Sequence, residues 1–219
     1  MAVKISNNGI TYPDGSVQPT RYDSNDDTGK FLQCNEYRST GTFTWTKPTG
    51  CRYVRVICVG GGGGASGHCE GGGSGGYAEK WINVEGVSSV TITVGRGGYG
   101  AGYYSNREDG GTSSFGSYVS ASGGYGANRN WGHSGGHGGV GHGGDINLRG
   151  GGGSGHENEA GHSGSGSYFG GGSVGAHHHA HGNNTEYICA PGAGGVGTWT
   201  SHGRGEHGNH GAVIVWSFT

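Results

Sequence analysis

The chain has 219 residues, of which 57 are glycine and only 4 are proline. This composition excludes collagen, in which every third residue is glycine and proline is abundant. Charged residues make up 13% of the chain and the net charge is −2, so nothing favours binding to nucleic acid or to an anionic membrane. Apolar residues make up 30%, too few for a conventional core around the whole chain.

The sequence also bears on membrane insertion, secretion and disulfide bonding. No apolar run approaches the roughly 18 residues of a membrane span, so no membrane insertion is expected. The polar residues after Met1–Lys4 predict no secretory signal. Five cysteines without such a signal predict no disulfide framework, and Cys51 and Cys58 are interpreted as buried thiols on strands.

The first 38 residues are polar and irregular. Tyr12-Pro13-Asp14-Gly15 is typical of a β-turn, with proline second and glycine fourth. Few branched aliphatic residues precede residue 30, and they are Val3, Ile5, Ile10 and Val17. Such a segment cannot bury itself, so it is expected to need another domain or another chain.

Alternating apolar and polar residues predict a β scaffold. Threonine alternates with aromatic residues over 42–46, and Ser89 to Val94 alternates as clearly. Gly86 suits a hairpin connection between the predicted strands 77–84 and 89–94. The predicted strands are 42–46, 52–59, 77–84, 89–94, a weaker one within 113–121, and 211–218.

A glycine-rich tract occupies residues 121–211. Its branched aliphatic residues are too few to close a hydrophobic core. It is either a flexible linker or an ordered array of extended, polyproline-II-like segments packed through glycine. The array is favoured because a strand returns after the tract and because glycine recurs with the three-residue period of that helix, at Gly132, Gly135, Gly138, Gly141 and Gly144.

These patterns predict an all-β fold in which a β scaffold carries an inserted polyglycine-II array. The predicted organisation is a segment over 1–38 that needs a partner surface, a scaffold with a first glycine burst over 39–120, a glycine-rich array over 121–211, and a returning strand over 212–219.

Several stretches, taken in order, resemble the glycine-rich distal domain of bacteriophage tail fibres. Asn8 to Ser16 also resembles a short sequence that often precedes such domains. The resemblance covers roughly residues 8–120 and 211–218, and its pieces are Gly41 to Gly50, Val54 to Gly64, Gly75 to Lys80, Ser89 to Gly98 and Gly110 to Gly116.

The resemblance implies a homotrimeric fibre end that binds the bacterial surface in the virion, after synthesis in the host cytoplasm. Its implied partners are a receptor (lipopolysaccharide, another glycan or an outer-membrane protein), sibling chains, and other fibre or baseplate proteins through the N-terminal segment. The glycine-rich parts are also similar to distal adhesins of T-even-like phages, in which polyglycine-II helices stack and loops at their ends touch the receptor.

Recognition is therefore expected where aromatic and polar residues interrupt the glycine frame. Aromatic faces beside hydrogen-bonding groups suit sugars and protein surfaces. The alternative is that these rings fill gaps between glycine helices or between chains. The candidate residues are Tyr103, Tyr104, Asn106, Arg107, Tyr125, Arg129, Trp131, Tyr168, Phe169, Tyr187 and Trp199.

Histidine departs from the family pattern. His177, His179 and His181 would share one face of an extended segment, and around a three-fold axis they could hold Zn, Ni, Cu or Fe. The alternative is a polar loop, and no carboxylate or cysteine at metal-site spacing supports the cluster. No cofactor is therefore expected. Histidines among the glycines, such as His133, His137 and His142, are interpreted as outward side chains.

No catalytic motif stands out, so the protein is expected not to be an enzyme. Gly132 to Gly136 and Gly72 to Gly76 match Gly-x-Ser-x-Gly only in letters, without its strand–turn–helix context. Glu157 and Glu159 lie close together in the sequence, but nothing in the sequence indicates a groove that would hold both carboxylates across a sugar. The rival functions are a capsule or lipopolysaccharide depolymerase and a purely structural glycine-rich protein, whose regular repeats the tract lacks.

Overall fold

The computed structural model describes residues 4–6, 9–12, 17–18, 29–67, 69–102, 107–127, 134–155, 163–172, 190–197 and 204–219. Within these residues the chain forms strands and no helix, and so no helix that could cross a membrane. This confirms the all-β class. The strands are β1 (Lys4–Ser6), β2 (Gly9–Thr11), β3 (Val17–Gln18), β4 (Phe31–Tyr37), β5 (Gly41–Thr46), β6 (Tyr53–Val59), β7 (Tyr77–Asn83), β8 (Ser89–Val94), β9 (Ser113–Phe115), β10 (Val119–Ala121), β11 (Gly141–His142), β12 (Ile146–Leu148) and β13 (Ala212–Phe218).

Two five-stranded antiparallel sheets form the scaffold. The first has the order β11-β10-β9-β8-β5, and the second has the order β12-β7-β6-β13-β4. The C-terminal strand β13 lies between β6 and β4, so the strand predicted after the glycine tract does return to the scaffold. Strands β1, β2 and β3 form a separate small antiparallel sheet.

The hydrophobic core lies between the two large sheets because alternate residues of each strand face inward. Trp45 and Phe115 of the first sheet are almost fully buried, and their rings meet edge to face at 5.6 Å. The second sheet contributes Val54, Val56 and Val215, among others. Cys51 and Cys58 are buried as predicted, and burial raises the pKa of the Cys58 thiol to about 12.

Three features of the scaffold differ from the sequence-based predictions. The weak strand predicted within 113–121 is two short strands, β9 and β10, which pair antiparallel across a turn. The predicted hairpin at Gly86 is wrong, because β7 and β8 belong to different sheets and residues 84–88 cross between them. Residues 31–37 are not irregular but form edge strand β4 beside β13. Its alternation is masked by polar residues on both faces, and its pairing with β13 is a tertiary effect that propensity does not carry.

Glycine-rich segments continue directly from the strands and pack side by side as an array. Backbone hydrogen bonds join them, and the two inner segments, 60–65 and 71–76, are buried throughout. The inner segments come from the first glycine burst, which the sequence analysis assigned to the scaffold. The described array segments are 60–65, 71–76, 95–101, 107–112, 122–127, 134–140, 149–155, 163–167, 190–197 and 204–211.

Hydrogen bonding in the array has the three-residue period of polyglycine II. In segment 60–65, residues three apart donate to the same neighbour, at N–O distances of 2.8–3.1 Å. Its carbonyl oxygens accept bonds from three further segments, 95–101, 122–127 and 190–197. The donors are Gly60 and Gly63 to segment 71–76, Gly61 and Gly64 to segment 107–112, and Gly62 and Ala65 to segment 204–211.

Close backbone approach explains why these positions are glycine. A Cβ atom at Gly62 would overlap the carbonyl oxygen of Ala193, and one at Gly63 would overlap that of Tyr125. The same holds along segment 71–76, where Gly73 faces the carbonyl of His137. The ordered array predicted from the glycine period is therefore present in the described segments.

Candidate functional site

The array has one end at the sheets and one end away from them. Strand β6 ends at Val59 and β7 begins at Tyr77, so segments 60–65 and 71–76 lead out from the second sheet and return to it. The turn between them, residues 66–70, marks the outer limit of this pair. We call this turn, with the residues bonded to it and to Gly64 and Gly71, the far end.

Most array segments meet the far end where the chain leaves or re-enters the described residues. The connections over 103–106, 128–133, 156–162 and 198–203 all have flanking residues there. The contacts are Gly67 N to Ala101 O at 2.9 Å, Gly64 N to Glu108 O at 2.9 Å, Ala127 N to Gly64 O at 3.0 Å, Gly136 N to Gly71 O at 2.9 Å, Gly71 N to Ser154 O at 3.0 Å, and Gly197 packed on the backbone of Cys69.

Many predicted site residues lie outside the described residues. Tyr103, Tyr104, Asn106, Arg129, Trp131 and Trp199 belong to connections that begin and end at the far end. Tyr187 and the histidine cluster His177, His179 and His181 belong to 173–189, and Gly192 just beyond it is bonded to Gly75 on the sheet side of the array. Those predictions stay predictions.

The described candidates are not brought together in one place. Tyr125 is exposed on the array, and its carbonyl accepts a hydrogen bond from Gly73 N at 3.0 Å. Tyr168 and Phe169 lie instead beside the second sheet, where the Tyr168 ring stacks on Tyr77 at 3.8 Å. Arg107 is at the far end, but its side chain is only 5% exposed.

Arg107 forms a buried polar group with the turn of the far end. Its Nη2 lies 4.0 Å from Oε2 of Glu70, whose side chain is fully buried, and Ser66 Oγ donates to that carboxylate. Glu70 is the one residue that breaks the glycine frame of the first burst. Buried charges are tolerated when they are paired and hydrogen-bonded, so this group ties the turn to the residue that follows 103–106.

A polar and aromatic cluster on segments 95–101 and 204–211 was missed by the sequence analysis. The Arg96 guanidinium lies 4.0 Å from the centre of the Tyr99 ring and pairs with Glu108, and Tyr99 meets His207 edge to face at 4.9 Å. Nothing in the composition marks these residues. Their spacing places them on adjacent segments only once the array register is known.

Two histidines in this cluster replace backbone acceptors of the array. Nδ1 of His207 accepts from Gly100 N at 2.9 Å, and Nδ1 of His210 accepts from Gly97 N at 3.0 Å. A ring nitrogen accepts only in neutral imidazole. Burial, with help from Arg204 and Arg96, lowers the pKa of His207, while Glu108 opposes the shift. The interpretation of glycine-tract histidines as merely outward side chains does not extend to these two.

Because of His207, the free energy of unfolding should fall as the pH is lowered. The pKa of His207 is lower in the folded state than the roughly 6.5 of an unfolded chain. The unfolded chain thus takes up a proton first, and the folded state loses stability as pH falls from about 6.5 toward the lowered value. His207→Asn should flatten this dependence, because an amide oxygen accepts the same bond without titrating.

Thermal unfolding at pH 7.5 and pH 5.0 measures the effect. The difference in Tm between the two pH values should be smaller in His207→Asn than in the wild type. The control is His142→Asn, since His142 lies on β11 and not on segments 95–101 and 204–211, and this variant should keep the wild-type difference. Equal differences in all three proteins would contradict the assignment.

On the second sheet, a hydrogen-bonded ion pair lies beside Tyr168, one of the predicted recognition residues. Arg55 Nε donates to Glu79 Oε1 at 2.6 Å, and Tyr77 Oη donates to the other carboxylate oxygen at 2.5 Å. The bond from Arg55 holds the pKa of Glu79 below its usual range, while burial and the carboxylate raise the pKa of Tyr77. Glu79 is thus a charged hydrogen-bond acceptor, not a proton donor.

Among the described residues, no group of three or more histidine, cysteine, aspartate or glutamate side chains could hold a metal ion. The histidine cluster at 177–181 falls outside that part of the chain, so the metal alternative for it is untested.

Two antiparallel sheets whose strands continue into a hydrogen-bonded array of glycine segments define a glycine-rich all-β domain. A family model described as a glycine-rich domain matches residues 38–217. The chain belongs to this glycine-rich domain family. The family description gives a composition and not a biological role, and no curated protein matches the sequence.

Proposed function

We propose that the protein is the distal receptor-binding part of a bacteriophage tail fibre, and that the far end of the array contacts the bacterial surface. The observation that carries the proposal is that described residues flanking four connections, 103–106, 128–133, 156–162 and 198–203, lie at this end. The tail-fibre resemblance of the sequence supports the same function. Binding alone, without catalysis, would accomplish it.

The chemistry of the array favours its ends as the recognition surface. Glycine segments present almost no side chains, and their backbone groups are used in hydrogen bonds to one another. Specific recognition needs aromatic faces and polar groups, which the connections at the far end supply in their sequence. Tyr103, Tyr104 and Trp131 belong to these connections, and Arg107 anchors one of them through Glu70.

The direction of the chain supports attachment at the opposite side. Gly29 N donates to Thr219 O at 2.8 Å, and Thr219 N donates to Lys30 O at 3.0 Å. The N-terminal segment and the C-terminus therefore meet at the scaffold. In a fibre, residues 1–28 would join the protein to other tail-fibre or baseplate proteins, leaving the far end to face the host's lipopolysaccharide, other glycan or outer-membrane protein.

Adsorption to host cells tests the proposal. Trp131→Ala and the double variant Tyr103→Ala with Tyr104→Ala should each weaken binding about 30-fold or more, as loss of an interface hot spot of roughly 2 kcal/mol predicts. Folding should be unchanged, because segments 60–65 and 71–76 hold the array together through backbone hydrogen bonds. The control is Tyr118→Ala, an exposed tyrosine in the turn between β9 and β10.

Labelled protein incubated with host cells and with surface mutants provides the measurement. Binding that is lost in both far-end variants but kept in Tyr118→Ala is the expected result. Wild-type binding by both far-end variants would contradict the proposal. Release of oligosaccharides from purified host polysaccharide would show a depolymerase instead.

A further inference from the structure

The outer faces of the two sheets differ sharply in character. In the first sheet, the outward residues of β5, β8, β9 and β10 are threonine and serine, as expected for a solvated antiparallel sheet. The second sheet instead exposes large apolar side chains on its outer face. These are Phe31 at 59%, Trp81 at 51%, Ile146 at 47%, Leu148 at 42% and Tyr53 at 38% exposed.

The aromatic residues of this face form one continuous patch. The Phe218 ring lies 6.0 Å from that of Phe31 and 5.2 Å from that of Trp81. Arg55 lies between Trp81 and Trp216 in the strand register, and its guanidinium is 5.1 Å from the centre of the Trp216 ring. We call the surface formed by Phe31, Arg55, Trp81, Trp216 and Phe218 the aromatic face. Monomeric soluble proteins rarely expose large continuous apolar surface without a use for it.

The charges of the aromatic face favour another copy of the same surface. Arg55 is bonded to Glu79 within the face, so its central charges are already neutralised. At the β4 border, Glu36 is paired with Arg38 in the same way. Two such faces would meet with their Arg55–Glu79 pairs already neutralised, whereas a strongly basic or acidic partner would find no free charge in those pairs.

The position of the face also favours a sibling chain. Phe31 and Phe218 lie next to the bonds between Gly29 or Lys30 and Thr219, where the N-terminal segment leaves the scaffold. That segment has few apolar residues and is expected to need another domain or another chain, and a sibling chain would meet that need. Strand β4, which borders the face, is an edge strand of the second sheet.

We propose that the aromatic face is the surface through which copies of this chain associate. Association would bury Trp81, Phe31 and Phe218 and shield the Arg55–Glu79 pair from water. The inference stands independently of the proposed host binding, because the aromatic face belongs to the scaffold and the far end belongs to the array.

Light scattering on the purified full chain at micromolar concentration tests the proposal. The wild type should have a multiple of the 22.1 kDa chain mass, and Trp81→Glu should reduce it to a single chain. The matched control is Thr44→Glu, which places the same charge on an exposed residue of the other sheet and should leave the mass unchanged. A wild type of 22.1 kDa, or equal masses for the two variants, would overturn the proposal.

The rate of thiol labelling at Cys34 provides a second readout of whether another chain covers the aromatic face. Cys34 is exposed and lies opposite Trp216 in the register, whereas Cys51, Cys58 and Cys69 are buried. In a Cys189→Ser background, Cys34 should react more slowly with a bulky maleimide than it does when Trp81→Glu is also present. Equal rates would place the association surface elsewhere and contradict the proposal.

Discussion

Replacing Gly138 by alanine should strongly destabilise the glycine array. Gly138 is buried, and a Cβ atom there would overlap the carbonyl oxygen and carbon of Gly150 in the adjacent segment. Backbone atoms cannot move aside as a side chain can, so the loss should reach or exceed the roughly 3 kcal/mol typical of severe overpacking. For a chain of this size, that loss lowers Tm by about 6–12 °C.

Glycine positions without neighbours provide the control. Gly171 has no atom within 4 Å of its Cβ position, and the same is true of Gly86 in the connection between β7 and β8. Alanine at either site should leave Tm within a few degrees of the wild type. A flexible linker would tolerate Gly138→Ala as well as the control changes, and equal Tm values would therefore refute the packed array.

Removing Glu70 should have the next largest effect. Its carboxylate is fully buried and lies 4.0 Å from the guanidinium of Arg107, which is 5% exposed. Breaking a buried ion pair by deleting one partner typically costs about 3–5 kcal/mol, because the other charge remains in a poorly solvated place. Glu70→Ala should therefore lower Tm strongly and also impair adsorption, because it loosens the anchor of residue 107.

An exposed ion pair separates this effect from simple loss of charge. Glu85 pairs with Arg52 at 2.8 Å on the surface of the scaffold, with both side chains about half exposed. Glu85→Ala should leave Tm and adsorption unchanged, since exposed pairs contribute little. If Glu70→Ala behaved like Glu85→Ala in thermal unfolding, Arg107 and Glu70 would not form a supporting pair.

Much of the fold could be predicted because the sequence has two clear periods, a period of two in the strands and a period of three in the glycine segments. Period two over residues such as Thr42 to Thr46 gives strands with one buried face. The predicted strands are observed within a residue or two, except that the one predicted within 113–121 is two short strands, β9 and β10. Period three in glycine gives array segments. Edge strand β4 was missed because its stability comes from pairing with β13, and the hairpin at Gly86 was wrong because a short glycine connection fits a crossing between sheets equally well.

The site was harder to predict than the fold. A break in the glycine frame marks where side chains can emerge, but not which end of the array they reach. That depends on the register of segments distant in sequence, such as Gly64 with Glu108. Arg107 shows the limit: its sequence context suggests an exposed contact, whereas the structure gives it a buried carboxylate partner. His207 and His210 become acceptors only through the same register.

Residue-resolved amide hydrogen exchange tests the ordered array most directly. The backbone N–H groups of segments 60–65 and 71–76 donate hydrogen bonds inside the array, so they should exchange only on global unfolding, as slowly as those of β6 and β13. The bonded amides of segments 122–127 and 134–140 should also be protected. Fast exchange throughout these segments, with protection confined to the strands, would contradict the account.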